Sequence, residues 1–289
     1  MANSKYAYVR NFELPDPLLP GCFLVCRIDG HSFHRFSEEH AFTKPNDDRA
    51  LQLMDHVAKD LMSEFKDIVL AFGESDEFSF LLRKSTNLYN RRNAKILSTL
   101  TSYFTSCYVF HWPRYFPDTP LRYPPSFDGR IVLYPDEHAI RDYFAWRQAD
   151  THINNLYNTV FWALAQQGGQ TTTEAHATLR GTVSAQKHEM LFQRFKINYN
   201  ELPARFRKGS VVVREKVRSC KQWLLDLNEP EDAHDADDLP EPIKPKTSEI
   251  ARIPFKASQR DKSKTTIEVM HCDIIGDEFW DARPHLLAR

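Results

Sequence analysis

The chain has 289 residues, 42% hydrophobic, 12% aromatic and 27% charged, so it can bury a core and a wholly disordered protein is excluded. Nine Gly against seventeen Pro, with no repeat of fixed period, exclude a solenoid and a flexible low-complexity chain. A formal net charge of −1 excludes a protein that coats nucleic acid over its whole surface.

The opening segment MANSKYAYVRNF lacks the apolar run of a signal peptide, and no stretch approaches the roughly 18 apolar residues of a spanning helix. A soluble intracellular protein without a membrane partner is expected, placed in the cytosol, the nucleus or both, with a mitochondrial pool also compatible. Five scattered cysteines read as reduced thiols, and Cys22 and Cys26 read as packing on an apolar strand rather than as zinc ligands.

In chain order, FLVCRID (23–29) is an apolar run that ends in a turn at Gly30 and reads as a central strand. The segment 44–65 then reads as a helix: Asn46 can cap it, Asp47 and Asp48 favour its positive end, and Ala50, Leu51, Met54, Val57, Ala58, Leu61, Met62 and Phe65 fall at helical spacing. Ile68 to Phe72 and Phe78 to Leu82 read as two strands around a hairpin tip at 73–77. A helix from about Tyr89 to Phe110 and a strand from Arg130 to Leu133 complete a βαββαβ order.

That order predicts an α+β, ferredoxin-like palm: an antiparallel sheet with both helices on one face and the other face free for substrate. After Tyr134 the pattern turns helical, with Ile153, Leu156, Tyr157, Val160, Phe161 and Leu164 on one stripe and shorter helices at 174–179 and 183–192. Ile267 to Phe279 reads as a returning strand and hairpin. The expected organisation is a catalytic core over 1–135 with a helical and C-terminal portion over 136–289 packed on it as one compact unit.

Charge is unevenly placed. Residues 187–218 carry nine Lys or Arg against three acids, whereas 226–241 carry eight acids and no base. The first block suits the backbone of a nucleic acid, although a basic block alone is more often just a solvated face. The acidic, Pro-containing segment 227–249 reads as a surface loop.

Chemistry concentrates at two turns. Asp29 ends a buried strand and Asp76 sits at a hairpin tip 76 − 29 = 47 residues later, so a βαββ sheet can bring both to one edge. Two carboxylates there repel unless they share a proton or a hard cation, and Mg²⁺ accepts carboxylate and phosphate oxygens together. Gly30 frees its carbonyl for a metal and opens the amides of Gly30 to His34 to a triphosphate, with Ser75 and Lys44 in reach. Each turn in isolation is equally an ordinary turn. Of the loose cluster His31, His34 and His40, His34 is the better substrate contact, and His40 reads as a satisfied polar group.

These residues carry a resemblance. RIDGHSFHRF (27–36), KPND (44–47), GESDEFSF (73–80), SYFTSCYVFHW (102–112), FDGR (127–130), WRQADTHINNLYNTVFW (146–162), KHEMLF (187–192) and NYNELPARFRKGS (198–210) are similar to the motifs of the eukaryotic tRNA-histidine guanylyltransferases, in the same order. The match spans about 5–218.

The resemblance implies a polymerase- or cyclase-like core that adds one guanosine to the 5′ end of histidine tRNA. ATP adenylylates the 5′-phosphate, the 3′-hydroxyl of GTP displaces AMP, and pyrophosphate is removed. It implies two Mg²⁺ ions on Asp29, Asp76 and the Gly30 carbonyl, with Glu77 in support because strand alternation turns it away from Asp76. The nucleotide is expected along Asp29, Gly30, His31, Ser32, Phe33 and His34 with Lys44, Ser75 and Asp76. Arg27, Arg92 and Lys95 are expected at the activating ATP or the 5′-phosphate. His152, Asn155 and Lys187 are expected to select histidine tRNA through its anticodon, and Asn198, Arg205, Arg207 and Lys208 to touch its backbone. A homotetramer is implied. Templated repair of truncated tRNAs and a non-catalytic tRNA scaffold are the competing readings.

Overall fold

The computed structural model describes residues 4–216 and 265–288; the acidic segment 227–249 lies outside them. The chain divides into one unit formed by 1–214 with 267–289 and a second spanning 215–266. The first unit holds every element that bears on the site.

Six strands, β1 (Phe23–Gly30), β2 (Ile68–Glu74), β3 (Glu77–Leu82), β4 (Phe127–Tyr134), β5 (Ser210–Lys216) and β6 (Thr265–Met270), form one sheet in the order β4-β1-β3-β2-β5-β6. Between β1 and β2 lie α1 (Phe33–Glu39) and α2 (Asp48–Glu64), and between β3 and β4 lies α3 (Asn93–Tyr115). After β4 come α4 (Glu137–Gln166), α5 (Thr172–Leu179), α6 (Ser184–Phe195) and α7 (Ala204–Lys208). The neighbouring strands β4, β1, β3, β2 and β5 pair antiparallel.

The central strands β1, β3 and β2 are buried on both faces. Leu24, Cys26 and Ile28 of β1 and Phe78 and Phe80 of β3 pack with Val57, Leu61, Ile96, Leu100 and Phe104 of α2 and α3. The alternate residues Phe23, Val25 and Leu81 meet Ile140, Tyr143 and Phe144 of α4, together with Trp280. The expectation of a free second face is therefore corrected: a strand apolar on both sides of its pleat must be covered twice, and the first turns of α4 supply the second cover. A third cluster, Leu156, Val160 and Leu164 of α4 with Leu179, Leu191 and Tyr199, builds the helical portion.

Several element boundaries differ from the pattern reading. Asp47, not Asn46, caps α2 by accepting the Arg49 amide at 3.0 Å, because Asn46 is turned to donate to Asn155 at 2.9 Å. Helix α3 runs on to Tyr115 and includes Pro113 in its last turn. The C-terminal stretch continues from β6 into a short helix, α8 (Asp277–Asp281), rather than a hairpin, because Phe279 and Trp280 dock into the second core.

Candidate active site

Antiparallel pairing of β1 with β3 sets Asp29 opposite Glu77, and β3 begins directly after the two-residue turn Ser75-Asp76. The Gly30 amide donates to the Asp76 carbonyl at 3.0 Å, which closes the end of β1 against that turn. A Cβ on Gly30 would lie 2.3 Å from the Phe33 ring and 2.8 Å from the Asp76 carboxylate, so only glycine permits this approach. Ser32 and Ser75 both hold left-handed backbone, at φ +57° and +50°, on either side of the carboxylates. Such strain persists only where surrounding contacts impose it, and it clusters at functional sites.

Asp76 senses Asp29. Burial first, and then the Asp29 charge, push the Asp76 carboxyl up to about 6, while the Ser75 hydroxyl pulls it down. Asp29 accepts from Arg27 at 2.8 Å. Glu77 turns to the opposite side, where Arg27 and Arg147 hold it, the latter at 3.1 Å. Burial raises the Glu77 carboxyl and the two guanidinium groups oppose that rise. Glu74 lies 3.9 Å from Arg147, and burial pushes it up to about 8. Arg27 thus links Asp29 and Glu77 in one ionic network with Arg147, and Asp76 stands at the adjoining turn.

Beside Asp76 opens a cleft of about 490 Å³, within the size range of small-molecule sites. Phe33, His34, Lys44, Ser75 and Asp76 line it, and Tyr108 and Phe161 supply buried apolar wall. Lys44 donates to Ser37 at 2.8 Å and lies 5.8 Å from the Trp162 ring; burial lowers its pKa and Glu38 raises it. The donors beside Asp76 are oxygens, which fits a hard cation such as Mg²⁺ rather than a thiophilic one.

Not every residue singled out by sequence reaches this place. The Gly30 and His31 amides are spent on Asp76 and Ser126, which leaves the run from Ser32 to His34 to meet a phosphate. Arg27 braces Asp29 and Glu77. Arg92 pairs with Asp16 at 3.1 Å and Lys95 lies 4.9 Å from the Tyr89 ring; both sit at the start of α3, at the sheet end where β3 finishes, and neither lines the cleft. His40 is buried between the Phe36 carbonyl and the Arg122 amide.

The residues expected at tRNA divide in the same way. Asn155 is buried and spends its amide on Asn46 and the Tyr199 hydroxyl. Asn198 caps the 199–201 turn, Arg205 is paired to Asp48 at 2.7 Å and Asp55 at 3.3 Å, Arg207 donates to the Leu202 carbonyl, and Lys208 lies 3.6 Å from Asp273. His152 stacks near His188 and Tyr199. Lys187 donates to the Thr182 carbonyl at 2.7 Å. Arg147, which motif reading passed over, holds the ionic network. Its signal was the four-residue step Tyr143, Arg147, Thr151, Asn155 along α4, a buried stripe with one cation in it.

Comparison with known proteins adds an independent observation. Residues 6–135 match the protein family described as tRNAHis guanylyltransferase, and residues 138–276 match its C-terminal domain, described as Thg1 C terminal domain. A mouse protein named probable tRNA(His) guanylyltransferase is 48% identical over 288 residues, covering 100% of this chain and 89% of the mouse protein. The crystal structure of the Saccharomyces cerevisiae tRNA(His) guanylyltransferase aligns at TM-score 0.70 and 51% identity, covering 72% of this chain and 93% of that one. A bacterial Thg1-like protein solved in complex with ATP aligns at TM-score 0.59 and 25% identity, covering 71% and 85%.

Proposed function

Because the chain belongs to the tRNAHis guanylyltransferase family and is a nucleotidyltransferase, we propose that it adds a single guanosine to the 5′ end of histidine tRNA at the Asp29–Asp76 edge. The observation that carries this reading is the closure of the Gly30 amide on the Asp76 carbonyl, which sets the end of the strand bearing Asp29 against the Asp76 turn beside a cleft of about 490 Å³. The order of the first four strands, with α2 and α3 on one face, supports describing the core as a ferredoxin-like polymerase palm.

Three steps make up the proposed reaction: adenylylation of the tRNA 5′-phosphate by ATP, displacement of AMP by the GTP 3′-hydroxyl, and removal of pyrophosphate. Asp29, Asp76 and the Gly30 carbonyl are the residues that would hold two Mg²⁺ ions, whose Lewis acidity would activate the attacking oxygen and neutralise the triphosphate. Lys44 and Ser75 orient phosphates, and Phe33 and Trp162 give the base apolar contact. Arg27 holds the Asp29 oxygen that faces it, and Arg147 fixes Glu77 so that Arg27 stays in place. His152 of α4 and Lys187 of α6, both half-buried, are the groups assigned to meet the tRNA. The family also implies a homotetramer, read out by light scattering.

Incubation with Mg²⁺, ATP, labelled GTP and 5′-monophosphorylated histidine tRNA, beside an anticodon-changed control, tests the reading. One guanosine on the histidine tRNA alone is expected, abolished in Asp29→Ala and Asp76→Ala while tRNA binding survives. Addition to both tRNAs points to repair chemistry; addition to neither points to a scaffold.

A further inference from the structure

On the paired helices α2 and α3, His56 and Asp60 stand one helical turn apart and His111 projects from α3 to meet them. None of the three lines the nucleotide cleft. One ligand atom from each lies within 4.8 Å of the others. Both imidazoles present Nε2 to the single Asp60 carboxylate, at 2.6 Å from His111 and 3.8 Å from His56. Their rings stack with centroids 3.9 Å apart.

We propose that His56, Asp60 and His111 form a site for a nitrogen-seeking divalent transition ion, Zn²⁺ or Co²⁺ in class, that ties α2 to α3.

The donor set points there. Two imidazole nitrogens and one carboxylate oxygen suit zinc, cobalt or nickel, whereas Mg²⁺ prefers an all-oxygen shell. The Tyr115 hydroxyl lies 3.0 Å from His56 Nδ1. A proton on Nδ1, donated to that hydroxyl, leaves the Nε2 lone pair facing Asp60, the arrangement that orients metal-binding histidines. Three protein ligands leave a position open, and a surface cavity of about 290 Å³ adjoins His56 with Lys59 and Arg114 at its wall. That position would take water or an anionic oxygen. In the ion-free state the His111–Asp60 hydrogen bond occupies the same atoms, so binding exchanges that proton for the metal.

The test uses Asp29→Asn/Asp76→Asn protein, so that the catalytic edge does not compete for the ion. Titration with Co²⁺ is expected to develop visible ligand-field absorption saturating at one ion per chain and unaffected by excess Mg²⁺. Tyr115→Phe is expected to weaken binding about 10–100-fold, the usual effect of losing the partner of a ligating histidine. His56→Gln and His111→Gln, each checked for native circular dichroism, are expected to weaken it further, and Zn²⁺ is expected to raise Tm only where all three ligands are present. No saturable absorption, or equal absorption in the His56→Gln and His111→Gln proteins, overturns the site. Should one glutamine variant fail to fold, the other and Asp60→Asn are read by the same titration, and undiminished absorption in either overturns the site equally.

Discussion

At the scale of single residues, the edge of the sheet is governed by how much charge burial will tolerate. Glu74, pushed up to about 8 from an ordinary 4.5, binds a proton in the folded state that the unfolded chain gives up. Stability therefore falls as pH rises between those two values, at about 1.4 kcal/mol for each pH unit crossed. Glu74→Gln should be progressively more stable than the parent from pH 5 to 8, with the difference flat above that. Paired thermal melts across this range check it, and a constant difference would show that Glu74 ionises normally. The same reasoning applies to Asp76, whose value of about 6 means that the ion-free pair is relieved by a proton in mild acid. Magnesium affinity should fall as pH drops below 6, which isothermal titration at several pH values reads directly.

At the scale of elements, α2 begins at a side chain with two duties. The Asp47 carboxylate accepts the Arg49 amide and, through its other oxygen, the Thr43 amide at 3.0 Å, so one residue caps the helix and closes the 43–47 loop that lines the cleft. Asp47→Ala should cost about 1–2 kcal/mol in urea unfolding. It should also raise KM for GTP more than it lowers kcat, since the loop positions Lys44 without taking part in bond making. Loss of stability with unchanged KM would confine Asp47 to capping. The 30-residue α4 works on a longer reach: its first turns roof the sheet, Arg147 enters the ionic network, and its last turns build the helical cluster.

At the scale of the whole molecule, the described part of the basic block, 187–214, is not one surface. Arg205 is drawn inward to Asp48 and to Asp55, whose carboxyl burial raises and Ser210 and Arg205 pull down. Removing it leaves a buried acid uncompensated, so Arg205→Ala should destabilise by about 3 kcal/mol and leave the salt dependence of tRNA binding unchanged. Lys187, on α6, should behave differently: Lys187→Ala should lower the melt only by the lost Thr182 contact, about 1 kcal/mol, and reduce the salt slope of tRNA affinity by about 1. Filter binding at several salt concentrations beside thermal melts separates the two. A matched loss of slope in both variants would make the block a single RNA-facing surface.

Periodicity and punctuation along the chain were enough to determine the β1-to-β4 order, the helical character of the second half, and the closing of the β1 end on the Asp76 turn, because alternation and hairpin closure are local rules with few solutions. Gly30 beside an acid was legible for the same reason. What only the tertiary structure decided were the partnerships between distant segments. These are the roofing of the sheet by α4, the capture of Glu77 by Arg147, the turning of Asn155 and Arg205 into the interior, the separation of Arg92 and Lys95 from the cleft, and the convergence of His56, Asp60 and His111. Each depends on which charges share a buried space, and that is set by packing across the fold rather than by spacing along the chain.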